Sequence, residues 1–497
     1  MPFLVWKTIG GKKRLVMRWN KRIDGKPKII KEVYIGDMEN LARMIQNPME
    51  NVDAYSLDFG MTASILMTEK EIGLKSVIDD EIGHHAKGMS PGDYALIFIM
   101  NRLSDPRSKS GIGEWMAKDF SSALFHTVTA QGFWNIMDRF SDEAMKRIRE
   151  KMRNHLISLG YDDSKLFVDG SNFYTYMEEN DMAKKGHNKK HRYDLNQVSY
   201  YIASNYDYIP FAGDSYAGNI PDVKTFQMIV DSTPDDAILI FDRGSNSMAN
   251  IKYTGNRKYL GALIQSDHSD LMSLPLKRDS FMETRKSVYG RDHRIILYHS
   301  SKLERRRIIT FMKHFRKVYR KVSGIIDTGD SDSMEKARIY LESENLNETI
   351  LLPSLEINQE RMDQRLSIMG KNAIFTNIMD MDAESIIDLY KKRNRVEHCF
   401  RTINTVDMAF PLYHWTPQKI RVHMFFSLMA YLFLALIYNE IHSHNESVSL
   451  ISTVGYLKDI NLNYAIRGKS VTSKIECKSE ISDLIGKTMD MESMIKD

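Results

Sequence analysis

The chain has 497 residues, 42% apolar and 27% charged, with a formal net charge of +4, the balance of a soluble globular protein too long for one ordinary core, so two to four structural units are expected. Two cysteines, Cys399 and Cys477, with no CxxC pair exclude a disulfide framework, give no support to a structural zinc site and fit a reducing cytoplasm. The start, MPFLVWKTIGGKKRL, lacks the order of basic residues, apolar run and small-residue cleavage site that a signal peptide needs.

Residues 1–37 alternate strand-like runs with turns, FLVWKTI, GGKK, RLVMRWN, RIDGK and PKIIKEVYIG, and read as a small β-meander. Its cations, among them Lys12, Lys13 and Arg14, face very few acids. Such a block suits either a DNA phosphate backbone or a solvated hairpin surface. From 38 to 160 apolar residues recur every three to four positions, as in PGDYALIFIMNRL and DEAMKRIREKMRNHLISLG, and SDPRSKSG interrupts them. A helical region for DNA binding or dimerisation is expected.

At Lys165 the period changes. LFVDGSNFYTY, LNQVSYYIAS and YIPFAGDSYAG are strand-like, DVKTFQMIVDS is helical, and AILIFDRG and KYLGALIQS are strand-like. Together they predict a mixed α/β sheet over 161–268. Residues 269–370 interrupt that pattern with the strand-like RIILYHS, the strongly basic helix SKLERRRIITFMKHFRKVYRKV and an acidic helical stretch. The pattern resumes over 371–445 with NAIFTN, a polar-striped helix and the apolar run at 424–438. That run, about fifteen residues, is short of the roughly twenty that cross a bilayer, so a buried core helix and no membrane partner are expected. The tail, 446–497, is uninformative.

The polar-striped helix, DLYKKRNRVEHCFRTIN at 388–404, sets Tyr390, Arg393, Glu397, Arg401 and Asn404 at intervals of three or four beside an apolar stripe of Leu389, Val396, Phe400 and Ile403. The polar face therefore borders the core. A carboxylate flanked by arginines stays ionised, which suits a metal ligand; an ordinary ion-paired surface helix has the same pattern. Asp169 ends the apolar run LFVD, and Asp242 ends ILIFD. Acids at neighbouring strand ends converge on a ligand crevice, although Asp169-Gly170 also suits a hairpin and Asp242 also suits a helix cap. Three acids so placed are suited to two divalent ions at a phosphodiester, and oxygen ligands favour Mg²⁺ or Mn²⁺. His191, His398, His414 and His423 have no zinc-motif spacing.

The Tyr-x-x-Arg-x-x-x-Glu spacing of Tyr390, Arg393 and Glu397, with FVDGSNFYTY, GHNKKHRYDLNQVSY, GNIPD, FDRGSNSMAN and PLYHWTPQKIRVHMFFSLMAYL, resembles the DDE transposases of prokaryotic insertion sequences, insertion-sequence family four in particular. The resemblance implies a ribonuclease H-like catalytic core, a mixed sheet flanked by helices, with an inserted β-rich subdomain between the second Asp and the Glu. It implies Asp169, Asp242 and Glu397 as catalytic ligands of two Mg²⁺ or Mn²⁺ ions. The partners it implies are double-stranded DNA, both element ends and target, and a second copy of the chain in the DNA complex, in a prokaryotic, nucleoid-associated cytoplasmic setting. Tyr390, Arg393 and Arg401 would meet DNA. One departure is Asn404, where the family signature has a lysine; Arg401, Lys391 or Lys392 would then compensate, or activity would fall. Lys189, Lys190 and Arg192, beside Gly186, suit either a phosphate clamp or a solvated loop. Two other readings stay open: a transposase-derived DNA-binding protein without activity, and a metal-dependent nuclease on the same fold.

Overall fold

In the computed structural model of the chain, residues 2–23, 26–46, 53–83, 88–186, 194–327, 332–406, 408–467 and 470–495 are described. Lys189, Lys190 and Arg192 lie outside them. Chain contacts divide the protein into two units, Met1–Gly60 with Lys458–Asp497, and Met61–Leu457.

In the first unit, strands Pro2–Ile9, Lys12–Ile23 and Lys26–Gly36 form an antiparallel meander. Gly10 and Gly11 turn between the first two with φ of 58° and 76°, the left-handed pair that a two-residue hairpin turn requires and that glycine adopts without strain. Strand Asp53–Asp58 pairs antiparallel with Ile460–Arg467, which pairs with Ser470–Cys477. Tyr55 and Tyr464 stack across the first pair at 5.0 Å. The sequence reading placed 53–58 in a helical region and found no signal in the tail. A six-residue strand whose partner lies at the far end of the chain leaves little local signature, because its stabilising contacts are all long-range.

The second unit opens with helices, including Leu74–Ile82, Pro91–Ser104 and Asp142–Ser158. Ser90 and Asp93 form a reciprocal capping box at the start of the second of these, with Pro91 in its first turn. An eight-stranded sheet follows, built of β1 (Lys165–Thr175), β2 (Asn196–Ser204), β3 (Pro210–Ala217), β4 (Ile238–Ile240), β5 (Tyr259–Ala262), β6 (Phe281–Val288), β7 (Arg291–His299) and β8 (Lys371–Thr376), in the order 6-7-8-5-4-1-2-3. Strand β4 is parallel to β1 and to β5; the other pairs are antiparallel. The expected mixed sheet is present.

The segment 269–370 differs from the expected β-rich insertion. Its hairpin β6–β7 joins the main sheet through β8, and most of the remainder is helical: α1 (Ser301–Asp327), Ser333–Ser343 and Gln359–Ser367. These helices enclose a core of their own around Phe315, Val318, Val322, Leu341 and Ile350. Phe315, Val318 and Val322 recur at helical spacing, so they can be buried together only by a helix lying against another element.

Helices α2 (Ala383–Lys391) and α3 (Asn394–Thr405) replace the single helix expected over 388–404. Between them Arg393 N–H bonds Tyr390 O at 3.1 Å and Arg395 N–H bonds Lys392 O at 2.9 Å, the tighter i to i−3 pattern. The poor helix former Asn394 falls at the break. Helix α4 (Pro417–His444) is 28 residues long, longer than its apolar run because polar residues continue it at both ends. It is long and apolar enough to cross a membrane, yet its most apolar stretch is 94% buried inside the protein. It packs on β3 and on Pro91–Ser104, and Phe426 meets Phe98 at 5.3 Å and Phe140 at 5.1 Å.

Candidate active site

Asp169 is not at a strand end. Strand β1 runs six residues past it, paired throughout with β2. What stops is the other side: β4 pairs with β1 only as far as Phe167 opposite Ile240. Asp169 and Asp242 each lie two residues beyond that last pair, so parallel register sets both acids on adjacent strands at the same level. Asp169 Oδ1 accepts the Gly170 N–H at 2.8 Å, and Asp242 Oδ1 accepts the Gly244 N–H at 2.9 Å. Asp242 caps the short turn Arg243–Ser245, while Ser247 caps the next helix, Met248–Tyr253.

Glu397 reaches this place because α3 packs on β1 and β2. Val396, Cys399, Phe400 and Ile403 are buried beneath the helix, with Phe400 5.2 Å from the Tyr200 ring, which leaves Glu397, His398 and Arg401 on the exposed side. Arg393, at the break between α2 and α3, joins the acids. Its Nη2 donates to Glu397 Oε1 at 2.8 Å, and its Nη1 stands 3.8 Å from Asp242 Oδ2. The Arg393 side chain is only 16% exposed. Burial pulls its pKa down, but Tyr390, Glu397, Asp242 and Asp169 together hold it above the usual arginine value. Arg393 is thus a fixed cation within electrostatic reach of all three acids. The phenol of Tyr390 is pushed up to about 12 by burial and stays neutral.

The donor set is three carboxylates, all oxygen, which fits a hard divalent cation. Among the described residues no three His, Cys, Asp or Glu side chains are gathered closely enough to share an ion; the Arg393 guanidinium lies against both Asp242 and Glu397.

Beside Asp242 opens a cleft of about 570 Å³ whose lining includes Arg243, Lys302, Arg306, Arg307, Lys391 and Arg393, with Asp242 its one acid. Arg243 Nη2 and Arg307 Nη2 both donate to Asn372 Oδ1 at 3.1 Å. Arg307 is further held by Met369 O at 3.1 Å and Lys371 O at 3.2 Å. Burial, then the neighbouring Arg243, lowers its pKa. Two guanidinium groups turned toward one neutral amide leave a concentration of positive charge that an anion would neutralise. Sequence reasoning singled out the basic helix but not this convergence, because residues 243, 307 and 372 meet only through the order of strands in the sheet. The signal available was Arg243 itself, directly after Asp242.

The other expected residues are placed as follows. Arg401 is exposed, and Asn404 is half-buried with its amide oxygen enclosed and without a hydrogen-bond donor among the described residues. Lys12 and Lys13 are exposed in the meander, whereas Arg14 pairs with Asp37 at 2.9 Å. His414 and His423 are buried and face each other, Nε2 to Nδ1, at 2.9 Å. Lys109 approaches the same His423 nitrogen at 2.7 Å. This buried group, which the sequence reading missed, lies in the breaker SDPRSKSG.

The family model of the transposase DDE domain matches residues 160–433, and the chain belongs to that family. The match spans β1 through most of α4 and includes Asp169, Asp242, Arg393, Glu397 and the lining of the basic cleft. No curated protein matches the chain. Members of this family are transposases, act on DNA and normally use divalent metal ions.

Proposed function

We propose that this transposase is of the insertion-sequence family four type, binds the terminal inverted repeats of its element, cuts there and joins the freed 3′ ends to target DNA. The observation that carries the reading is Arg393, a cation that pairs with Glu397, stands 3.8 Å from Asp242 and feels the charge of Asp169 at the mouth of a basic cleft. The mixed sheet, with two of the acids level on adjacent parallel strands, supports a ribonuclease H-like core. Asp169, Asp242 and Glu397 would hold two Mg²⁺ or Mn²⁺ ions, whose chemistry is to activate the attacking oxygen and stabilise the leaving one at a phosphodiester. Arg393, freed from Glu397, turns to the phosphate and neutralises its charge. Arg243 and Arg307 bind flanking phosphates, and neutral Tyr390 donates its hydroxyl proton to a phosphate oxygen. A homodimer in the DNA complex and a prokaryotic cytoplasm complete the reading by analogy.

The test is Mg²⁺-dependent nicking of supercoiled plasmid carrying the element ends, with product analysis for joined strands. Asp169→Asn, Asp242→Asn and Glu397→Gln should each abolish cleavage and preserve DNA binding, since each keeps side-chain volume and removes an anionic ligand. Cleavage by Glu397→Gln at the wild-type rate would overturn the assignment. Cleavage without joining would point to a nuclease instead, and a wild type that binds without cutting would point to an inactive descendant.

A further inference from the structure

Helix α1 carries nine lysines and arginines against two acids, Glu304 and Asp327. Its core side is settled: Phe315, Val318 and Val322 are buried against the helices that follow. At 3.6 residues per turn, Lys302, Arg306, Lys313, Lys317 and Arg320 fall within an arc of about 60° on the side directly opposite. All five are exposed, and none has a carboxylate partner among the described residues. Glu304 sits on the core side of the helix, paired with Arg278 at 3.0 Å. A solvated helix usually intersperses its charges with opposite ones; this one has a row of a single sign.

The row also has a definite beginning. Lys302 and Arg306 line the cleft beside Asp242, and from Lys302 to Arg320 the helix rises about 27 Å. That length corresponds to about eight base-pair steps at 3.4 Å each. We propose that α1 is a rail for duplex DNA: its cation row lies along the duplex outward from the cleft and meets the backbone phosphates that turn toward it, so that the inserted segment aligns DNA on the carboxylates. The charge complementarity, the continuity with the cleft and the length of the 27-residue helix commit the face to a phosphate backbone. The inference rests on the DNA-processing reading above and adds to it the surface of Lys313, Lys317 and Arg320, which lies beyond the cleft lining that Asp242 and Arg393 share with Lys302 and Arg306. Because the contacts are to phosphate, the rail is indifferent to base sequence.

The test measures full-length protein binding to a random-sequence duplex of about 30 base pairs, roughly 100 Å and so longer than the rail, at several salt concentrations. Lys317→Ala/Arg320→Ala should lower the slope of log affinity against log salt by about 1.8, two contacts at about 0.9 each. The charge-preserving Lys317→Arg/Arg320→Lys should keep the wild-type slope. An unchanged slope in the alanine variant, or an equal loss in both variants, overturns the rail. Plasmid cleavage by the wild type is run in parallel. If the wild type does not cut, the transposition reading fails, while the binding slopes still decide whether α1 holds DNA.

Discussion

Burial at His414 and His423 has a consequence that pH exposes. Burial, then the neighbouring Lys109, brings the pKa of His414 down to about 2, and the same causes push His423 well below its usual value. Above about pH 6.5 both histidines are neutral folded and unfolded alike, and no stability depends on them. As pH falls below 6.5 the unfolded chain takes up protons that the folded chain refuses, so stability declines by about 1.4 kcal/mol per unit for each histidine. Between pH 7 and pH 5 His414 alone accounts for a loss of about 2 kcal/mol. His414→Gln should therefore show a shallower decline than wild type in urea midpoints measured over that range. Parallel declines would mean that the imidazole is reached by protons in the native state. Arg393 is governed by the opposite arithmetic: three carboxylates and a buried phenol favour its charged form, so the site keeps its internal cation across the physiological range.

At the scale of elements, close backbone approach explains two glycines in the motifs that carry the family resemblance. A Cβ on Gly218 would lie 2.0 Å from Gln197 O, and one on Gly186 would lie 2.0 Å from Gly218 O. These contacts tie the start of β2 to the segment before it and to the residue after β3, since Lys184 bridges to Gln197 on β2. Gly218→Ala should cost about 1–3 kcal/mol by overpacking. Gly324, in α1, has open space where a Cβ would go, so Gly324→Ala should stabilise by about 0.5–1 kcal/mol through helix propensity. Chemical denaturation of both variants checks the contrast, and a stabilised Gly218→Ala would remove the close-approach account. The same scale shows what was legible. Alternation marked β1, β2 and β3, and helical spacing marked α1 and α4, because each element's own residues encode its period. The three acids were legible as ends of apolar runs and as a helical stripe. LFVDGSNFYTY was legible as one strand-like run, but the placing of Asp169 at a strand end was not correct, because pairing with β2 overrides the Asp-Gly turn dipeptide. The helix break at Arg393 was not legible, because i, i+3 and i, i+4 spacing persists across two helices.

Across the whole molecule, a net charge of +4 on 497 residues conceals strong local segregation. One basic surface belongs to the unit containing Met61–Leu457, in the cleft and on α1; another belongs to the meander of the other unit. Within the meander the cations are not equivalent. Lys7 and Arg18 share Glu32 at 2.6 and 2.7 Å, and Arg14 is engaged by Asp37, whereas Lys12 and Lys13 are exposed at the start of the second strand. A cation already paired gives up an internal partner when it binds phosphate, so its gain is reduced. Lys12 and Lys13 are therefore the pair to test, and Arg14 is not. If the meander holds DNA, Lys12→Ala/Lys13→Ala should flatten the salt dependence of binding by about 1.8, whereas Arg14→Ala should change it by less than one contact. Combined with Lys317→Ala/Arg320→Ala the reductions should add, because the two pairs share no partner and each lost phosphate contact releases its counterions independently. Salt titrations of the two double variants and of the quadruple variant measure this directly. A silent Lys12→Ala/Lys13→Ala would make this part of the meander a solvated surface, with the cleft and α1 still holding DNA.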